Sequence, residues 1–517
     1  METERVAPTI LYFLVLAGVL LGGAAIRVLN LDAASAWHDY DEGVHLSAAL
    51  LSLKGYTPYK DFFFAHPPLS LYVLQAVVEN GGDQEYGYAR MISAALATTT
   101  LILLAVAAYI SIGKVGALMG TAFLAIDGFS AFNSRMVMLE PYVDFFLSAS
   151  VLCYVCLYRA KTRWQDALLT VATGFSLGLS ASSKMTALFG AGAILLHALI
   201  YRRKLAFATI TATAALTYLA LSAKYLMVNA EAYLKQTILF HIVRPQDGVP
   251  RGERWSWILT SFLDVGVVWS GIPALAVVLI LYPYYRRNKE VRSESSLWIL
   301  WCLAYAIAFS LTRTFFGHYI QHLITPLAYV AGMALEFAAR LKAPPWRSSL
   351  LHIILAKIVP VWIVSMILLQ LGVISVAFPP MARDDTPLRV SEKLRELGAP
   401  EEPTIAFEPI YTFLVGGYPS NLVIDYYGHM MYEGMSLGRY SFTEALERFL
   451  SNSLYSSWPI YEQRVQEMIT WDILESRLVV IDWRARWQLT DRYLAEVYKN
   501  SICVERIGNI DVCSIKG

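Results

Sequence analysis

The segment Trp37–His45 holds three carboxylates and two histidines within nine residues. It follows the first long apolar stretch of the chain, so its charges lie near the end of an expected membrane helix. A charge at the middle of a bilayer costs about 2.5–3.5 kcal/mol on insertion scales, so acids this close to hydrocarbon need a functional reason. Carboxylates and histidines are the usual side chains for proton transfer to or from a reacting group. The segment is therefore a candidate reaction site.

The composition of the chain predicts a polytopic membrane protein. Hydrophobic residues make up 56% of its 517 residues, and the mean hydropathy is +0.46. Charged residues are only 16%, against roughly 25% in ordinary soluble domains. The net charge of +1 favours no polyanionic partner, and no zinc-finger or RNA-binding signature is present. The sequence thus predicts contact with membrane lipids and no nucleic acid binding.

Eleven apolar segments are long enough to approach or exceed the length that crosses a bilayer. They are residues 8–29, 90–111, 114–131, 140–158, 166–182, 185–201, 205–228, 261–282, 296–312, 318–339 and 350–378. The first is longer than the roughly 7–15 apolar residues of a signal peptide, so we interpret it as a retained helix. The prediction is a helical membrane protein with about eleven transmembrane helices.

The basic residues between these segments predict the orientation. Lysine and arginine concentrate in alternate connections, at residues 114, 159–163, 202–204, 286–292 and 340–347. Short basic connections mark the cytoplasmic side. An odd number of spans then puts the N-terminus in the cytoplasm and residues 379–517 outside it, in a multi-pass protein of the cell membrane. The unusual polar residues near membrane boundaries fall in the opposite connections, which predicts an extracytoplasmic site.

Two domains are expected, a transmembrane catalytic domain of residues 1–378 and a soluble extracytoplasmic α/β domain of residues 379–517. Pro379-Pro380 marks the boundary, and strand-like runs then alternate with helical patterns. The strand-like runs are Thr404–Phe407, Leu422–Asp425, Leu478–Asp482, Val504–Ile507 and Asp511–Ile515, and the helical patterns include Thr443–Leu450 and Asp491–Lys499. Cys503 and Cys513 could form a disulfide if this domain faces an oxidising exterior. Cys153 and Cys156 are interpreted as packing residues of a membrane helix.

The first outer loop, from about residue 30 to residue 89, is too long for a simple connection. Within it, Val44–Leu53 and Leu69–Val78 are predicted to be helices lying in the membrane interface. The loop reads Tyr40-Asp41-Glu42-Gly43-Val44-His45 and continues through Gly55, Pro58-Tyr59, Asp61 and Pro67-Pro68. This pattern resembles the first outer loop of C-type (GT-C) membrane glycosyltransferases, in particular the superfamily of protein O-mannosyltransferases and aminoarabinose transferases.

Three later stretches are similar to the same family. They are Arg135-Met136-Val137-Met138-Leu139-Glu140-Pro141, Ser183-Lys184-Met185-Thr186-Ala187-Leu188, and His318-Tyr319 with Leu323 and Pro326. The resemblance covers most of residues 1–340 and implies a GT-C fold with an added C-terminal domain. It implies transfer of a sugar from a polyprenyl-phosphate (dolichyl- or undecaprenyl-phosphate) donor to a hydroxyl of a protein, lipid or glycan acceptor, with inversion.

The resemblance also assigns roles to individual residues. Inversion requires a carboxylate that takes the proton of the acceptor hydroxyl. Asp41 matches that position, Glu42 is the next choice as acceptor ligand or substitute base, and Asp39 is an additional acid that leaves the choice open. The leaving phosphate requires cations at outer helix ends, and Lys184, Arg135, His318 and Arg313 are placed there.

Glu140 and His66 are candidates for binding the acceptor or a metal. Some relatives use a divalent cation, and Mg²⁺, Mn²⁺ or Zn²⁺ are all compatible with the acids and histidines available. No spacing is diagnostic of a metal site.

Each assignment has a structural alternative. Asp41 and Glu42 could be acids that cap a helix, Lys184 could extend to the headgroups without a ligand, and Arg135 with Glu140 could steady an outer turn. His66 and His318 could simply be hydrogen-bonded at the interface. The charged residues Arg244, Arg251, Glu253 and Arg254 are interpreted as a solvated run, with a lid over the donor as the alternative.

Two other functions are considered. A secondary transporter would need ionisable residues near the membrane centre and an inverted repeat, and neither is evident. An oligosaccharyl-transfer enzyme would carry a Trp-Trp-Asp-Tyr-Gly signature, of which Ile424-Asp425-Tyr426-Tyr427-Gly428 has only fragments.

Overall fold

The computed structural model describes residues 3–29, 31, 38–202, 204–261, 263–287, 293–340, 357–381 and 384–516. The chain groups into two compact units, each assembled from three separate stretches of sequence. Unit 1 comprises Met1–Leu31, Met91–Ala220 and Asp247–Pro380. Unit 2 comprises Asp32–Arg90, Leu221–Gln246 and Met381–Gly517. The domain boundary expected near residue 378 stays a prediction, and unit 2 joins the C-terminal region to the first outer loop.

Unit 1 consists mainly of long apolar helices. In chain order, the described residues of both units begin with α1 (Thr3–Val28), α2 (Tyr40–Leu53), α3 (Leu69–Gly81), α4 (Glu85–Ser111), α5 (Lys114–Ala125), α6 (Gly128–Asn133), α7 (Glu140–Leu157), α8 (Arg163–Ala181), α9 (Ala187–Tyr201) and α10 (Lys204–Leu234). They continue with α11 (Phe240–Val243), α12 (Arg254–Thr260), α13 (Val265–Arg287), α14 (Ser296–Leu311), α15 (Gln321–Arg340) and α16 (Val359–Met381).

Every predicted apolar segment overlaps one of these helices, and residues 350–356 of the last segment lie outside the described residues. Within the described residues, eight helices are long and apolar enough to cross a membrane, and two shorter apolar ones are Lys114–Ala125 and Ala187–Tyr201. The segment 114–131 is interrupted because Asp127 accepts a hydrogen bond from the Ser130 amide at 2.7 Å and caps α6. The polytopic helical fold is confirmed.

Close helix packing in unit 1 depends on small residues. A Cβ atom on Gly332 of α15 would lie 2.2 Å from the Gly116 carbonyl oxygen of α5. Only hydrogen fits there, so the two helix backbones can approach closely, as is common between membrane helices. Helix α15 is buried along nearly its whole length, so it forms the centre of this unit.

The C-terminal part of unit 2 is a small α/β fold, as predicted. The short strands β1 (Asp247–Gly248) and β2 (Thr314–Phe315) belong to unit 1 and pair with each other. The strands of unit 2 form a separate sheet. The larger sheet contains β3 (Thr404–Ala406), β4 (Leu478–Ile481), β5 (Ser501–Ile507) and β6 (Ile510–Ile515) in the order β3-β4-β6-β5. Strands β3 and β4 are parallel, whereas the other pairs are antiparallel. Cys503 and Cys513 face each other across β5 and β6 and form a disulfide.

Helices surround this sheet. They are α17 (Thr386–Glu396), α18 (Ile410–Leu414), α19 (Tyr426–Gly434), α20 (Phe442–Leu450), α21 (Gln463–Glu475), α22 (Trp483–Gln488) and α23 (Asp491–Lys499). The prediction of a strand at Leu422–Asp425 is wrong. Leu422 has a φ of 59°, which no strand residue adopts, and the Asp425 side chain accepts a hydrogen bond from the Gly428 amide at 2.8 Å. That contact begins α19 instead.

Candidate active site

The acidic segment forms the N-terminus of α2 in unit 2. Asp39 is the capping residue, and its carboxylate accepts a hydrogen bond from the Asp41 amide at 3.0 Å. Glu42 reaches back and accepts from the Asp39 amide at 3.2 Å. This reciprocal arrangement satisfies amides that a helix start leaves unpaired. Trp37 lies outside the described residues.

Glu42 is held in a buried ion pair. Arg90 donates from Nε to Glu42 Oε1 at 2.8 Å and from Nη2 to Oε2 at 2.7 Å. The hydroxyl of Tyr86 donates to the same Oε2 at 3.1 Å, and the Glu42 side chain is fully buried. A carboxylate with these partners is fixed in position, so the structure supports the helix-capping alternative for Glu42.

Asp41 differs from both neighbouring acids. It is half-buried, and no described residue donates a hydrogen bond to its carboxylate. Burial, together with the charge of Asp41, raises the pKa of Asp39 to about 7. The cause is that burial and a nearby negative charge both disfavour the charged form of Asp39.

Residues of the C-terminal region hold the start of α2 from the other side. Tyr40 donates a hydrogen bond to Asp425 Oδ1 at 3.0 Å, and the Arg484 guanidinium lies 4.1 Å from the centre of the Tyr40 ring. Arg484 also donates to Glu408 Oε2 at 2.7 Å. A Cβ atom on Gly43 would lie 2.4 Å from the Ile410 amide nitrogen. Tight backbone contact and a buried cation thus fix the acidic helix end within unit 2.

The same unit brings three histidines and an arginine together. The rings of His45 and His66 are 5.6 Å apart, and those of His66 and His241 stack at 5.9 Å. His241 lies in α11, and Arg244 is the residue that ends this helix. Arg244 is buried and its charge acts on Asp425. The interpretation of Arg244 as part of a solvated run is wrong, because its guanidinium packs on the Phe240 ring at 5.1 Å and lies 5.9 Å from that of Tyr427.

Unit 1 contains a second polar cluster, at the start of α7. Lys184 donates from Nζ to Glu140 Oε1 at 2.6 Å, and His318 Nε2 lies 3.7 Å from the same oxygen. The Lys184 ammonium also lies 4.8 Å from the centre of the Tyr319 ring. The second carboxylate oxygen of Glu140 is buried and has no hydrogen-bond partner among the described residues. Three sequence-predicted residues, Glu140, Lys184 and His318, therefore meet in one cluster.

One helical turn further along α7 and α15 lies a related network. Asp144 Oδ1 is 2.8 Å from His322 Nδ1. Its other oxygen accepts a hydrogen bond from the side-chain Nε2 of Gln321 at 2.8 Å. His322 Nε2 is 3.1 Å from the Thr186 hydroxyl. These buried hydrogen bonds tie α7, α15 and the start of α9 together, which keeps Lys184 and His318 in place.

Arg135 and Arg313 make other contacts in unit 1. Arg135 donates to the carbonyl oxygens of Ile26 at 2.8 Å and Leu29 at 2.7 Å, at the end of α1, as basic side chains often do at helix C-termini. The backbone carbonyl of Arg313 accepts from the Arg254 guanidinium at 2.9 Å. Arg254 is itself buried and bonded to further carbonyls, so interpreting it as solvated is wrong.

In the parts of the chain that the structure describes, no three His, Cys, Asp or Glu side chains meet as metal ligands would. The use of Mg²⁺, Mn²⁺ or Zn²⁺ stays a prediction.

Comparison with known proteins adds a family match and a shared fold. A family model described as dolichyl-phosphate-mannose-protein mannosyltransferase matches residues 41–237. Residues 41–237 are thus similar to protein mannosyltransferases. The match begins at residue 41, the candidate base. It ends at residue 237, within the stretch Leu221–Gln246 of unit 2.

Solved structures of glycosyl-transferring membrane enzymes share the fold of this chain over nearly its whole length. ArnT from Cupriavidus metallidurans in the apo state has a TM-score of 0.63 at 13% identity, covering 99% of this chain and 98% of that one. The same protein bound to undecaprenyl phosphate has a TM-score of 0.56 at 13% identity, with 98% of each chain covered.

The Archaeoglobus fulgidus oligosaccharyltransferase tethered to an acceptor peptide has a TM-score of 0.52 at 10% identity, covering 91% of this chain and 69% of that one. No curated protein sequence gives a significant match.

The sequence alone did not identify several residues at the acidic helix end. Arg90, His241, Arg484 and Asp425 are distant in sequence from Asp41, and nothing in their local patterns marks them. Arg90 opens an apolar span, where an arginine is costly without a partner. That cost was the available signal for its pairing with Glu42.

Proposed function

We propose that this protein is a glycosyltransferase that transfers a sugar from a polyprenyl-phosphate donor to an acceptor hydroxyl. The transfer takes place on the extracytoplasmic side of the membrane and inverts the configuration at the anomeric carbon. The undecaprenyl phosphate bound to ArnT and the family description support the lipid-phosphate class of donor. The basic connections that the positive-inside rule assigns to the cytoplasm support the orientation.

The observation that carries the proposed mechanism is the difference among the three acids of the loop. Glu42 is committed to Arg90, and Asp39 caps α2 with a raised pKa of about 7. Asp41 alone of the three receives no hydrogen bond to its carboxylate from a described residue. A base must have an oxygen available for the incoming proton, which favours Asp41.

In the proposed step the acceptor oxygen attacks the anomeric carbon on the face opposite the phosphate. The new carbon–oxygen bond forms as the bond to the phosphate oxygen breaks through an oxocarbenium-like state. The acceptor proton passes to Asp41, and the polyprenyl phosphate leaves with the electron pair.

The leaving phosphate gains charge during the step, so cations near it stabilise the transition state. We propose Lys184 and His318 for this role, because the structure places both on Glu140. Arg135 is bonded to helix carbonyls, which favours a structural role for it. His66, His241 and Arg244 form a second cationic group in unit 2 and are additional candidates. Glu140, through its unpartnered oxygen, is proposed to orient the acceptor or the lysine.

The test uses purified full-length protein and a radiolabelled polyprenyl-phosphate sugar. Asp41→Asn should lower sugar transfer by at least a hundredfold, because general-base catalysis is worth about 10²–10⁴-fold, while donor binding stays unchanged. Lys184→Ala should instead weaken donor binding.

Glu79→Gln and Lys54→Ala are matched controls in the first outer loop, both exposed, and should behave as wild type. Normal turnover by Asp41→Asn would refute the base assignment. Unaltered donor affinity in Lys184→Ala would refute the phosphate role.

A further inference from the structure

A polar cavity of about 420 Å³ lies within unit 2, beside the first outer loop. Its walls come from all three stretches of the unit: residues 59–63, residues 229–236 and residues 429–438. The proposed base and phosphate ligands do not line it. Cavities of this size typically hold a small molecule or one part of a larger substrate.

The backbone around this cavity is irregular at three places. Tyr59 has a φ of 68°, Asn229 breaks the helical conformation of α10 with φ −159° and ψ 85°, and Lys235–Leu239 form a π-helical turn. Left-handed non-glycine residues and π-turns cost free energy and concentrate at binding sites. Three such features from two segments of the chain, all adjoining one cavity, indicate a built site.

The polar groups of the lining offer both donors and acceptors. Asn229 uses its side-chain oxygen to accept from the Ala232 amide at 3.0 Å, and no described residue accepts from its NH₂ group. Glu231 lies 3.4 Å from Lys235 Nζ, and Glu433 lies 3.3 Å from Arg464 Nη1. These carboxylates keep further lone pairs for a ligand.

Aromatic rings complete the walls. Tyr59, Phe62, Phe63 and Tyr432 line the cavity, and the rings of Phe63 and Tyr432 are 5.2 Å apart. Flat apolar faces next to mixed donors and acceptors match a molecule that has both hydroxyl groups and C–H faces.

The charges exclude other ligand classes. Three carboxylates and two lysines line the cavity. Each of these carboxylates pairs with a cation, so an anionic phosphate would find no surplus of positive charge there. A lipid chain would leave these polar groups without water or partners, which is costly. A neutral polyhydroxylated ligand satisfies them.

We infer that this cavity binds a neutral sugar residue of the acceptor. The inference rests on the proposed function and names the acceptor as a glycan or glycan-bearing molecule. Helix α19 connects the two places: Asp425 at its start holds Tyr40, beside Asp41, and Glu433 near its end lines the cavity. Eight residues of helix span about 12 Å, so the cavity takes a sugar away from the reacting hydroxyl.

The experiment titrates purified full-length protein with four neutral probes, maltotriose, cellotriose, mannotriose and chitotriose, and detects binding by saturation-transfer NMR. At least one should bind, and Asn229→Ala and Glu433→Gln should each weaken that binding at least fivefold. Glu447→Gln, an exposed acid of the same region, is the matched control and should bind as wild type.

Absence of binding by all four probes, or equal binding by the cavity variants, would overturn the inference. So would selective binding of glycerol phosphate or of a Ser/Thr peptide by wild type. Failure here is separable from failure of the proposed function. Asp41→Asn should still bind the sugar probe. If the wild-type protein bound no polyprenyl-phosphate sugar, the transfer reaction would be refuted, whether or not the probes bind.

Discussion

At the scale of single residues, the acidic segment shows how neighbouring carboxylates take different roles. Glu42 points at Arg90 and Tyr86, Asp39 closes the helix end, and Asp41 retains oxygens that accept no described hydrogen bond. The sequence predicted a group of acids at the end of a membrane helix. It could not rank them, because the ranking depends on Arg90, 48 residues after Glu42.

Glu42→Gln tests the ion pair. The change leaves the Arg90 charge buried without its counter-charge, which costs about 3–5 kcal/mol. We expect a lower apparent melting temperature and less folded protein after detergent extraction. The double variant Glu42→Leu with Arg90→Met removes both charges and should recover much of the stability. Unchanged melting of Glu42→Gln would show that the pair contributes little.

Asp39→Asn tests the raised pKa of the Asp39 carboxyl. A carboxyl whose folded pKa is raised to about 7 holds a proton that the unfolded chain releases near pH 4. Its contribution to stability is fully present below about pH 4 and is lost as the pH rises through about 7. The apparent melting temperature of wild type should therefore fall between pH 5 and pH 8 through this group, and Asp39→Asn should flatten that fall.

Asparagine also caps helices well, so the helix end is kept in this variant. Asp385→Asn, at an exposed acid, should leave the wild-type profile unchanged. A fall of the same size in Asp39→Asn would assign the pH dependence to other groups.

At the scale of elements, hydropathy predicted the helices well because lipid forces long apolar stretches to satisfy their backbone internally. Strand-like runs predicted β3, β4, β6 and the second half of β5 but failed at Leu422–Asp425, where an aspartate cap decides the conformation. The packing of α2 on Pro409–Ile410 was not predictable, since it depends on the missing side chain of Gly43 and on a backbone far along the chain.

Gly43→Ala should displace α2 from this contact. The added Cβ would meet the Ile410 nitrogen at 2.4 Å, and backbone cannot move aside as a flexible side chain can. We expect sugar transfer to fall at least tenfold with little change in donor binding, because the proposed base shifts with its helix. Gly192→Ala is the control: nothing lies within 4 Å of a Cβ there, and alanine favours a helix by about 1 kcal/mol. Equal activity of the two variants would contradict the tight contact.

At the scale of the whole molecule, the C-terminal region shares a compact unit with the first outer loop. The sequence suggested an appended domain, because composition changes at Pro379-Pro380. Composition marks where hydrocarbon-facing segments stop, but it does not reveal which polar segments pack together. The shared unit therefore emerges only from the three-dimensional contacts.

Deletion of residues 381–517 should expose the first outer loop. Without Arg484, Asp425 and the Pro409–Ile410 backbone, the start of α2 loses its buried partners, and limited proteolysis of membranes should cut between residues 38 and 90. The matched control carries a cleavage site inserted at residues 382–383 and is cut only after folding. Its loop should stay protected, because the contacts within unit 2 persist. A resistant loop in the deletion variant would contradict the shared unit.

Because each unit is assembled from separate stretches of sequence, unit 2 can be completed only late in biosynthesis. Residues 32–90 leave the ribosome more than 400 residues before the last strand that completes unit 2. At elongation rates of about 5–20 residues per second, this delay is on the order of a minute. During that interval the nascent acidic loop has none of its C-terminal partners, so a chain that stops before residue 381 leaves the loop without the contacts that unit 2 provides. Assembly of the acidic helix end is thereby tied to translation of the C-terminal region.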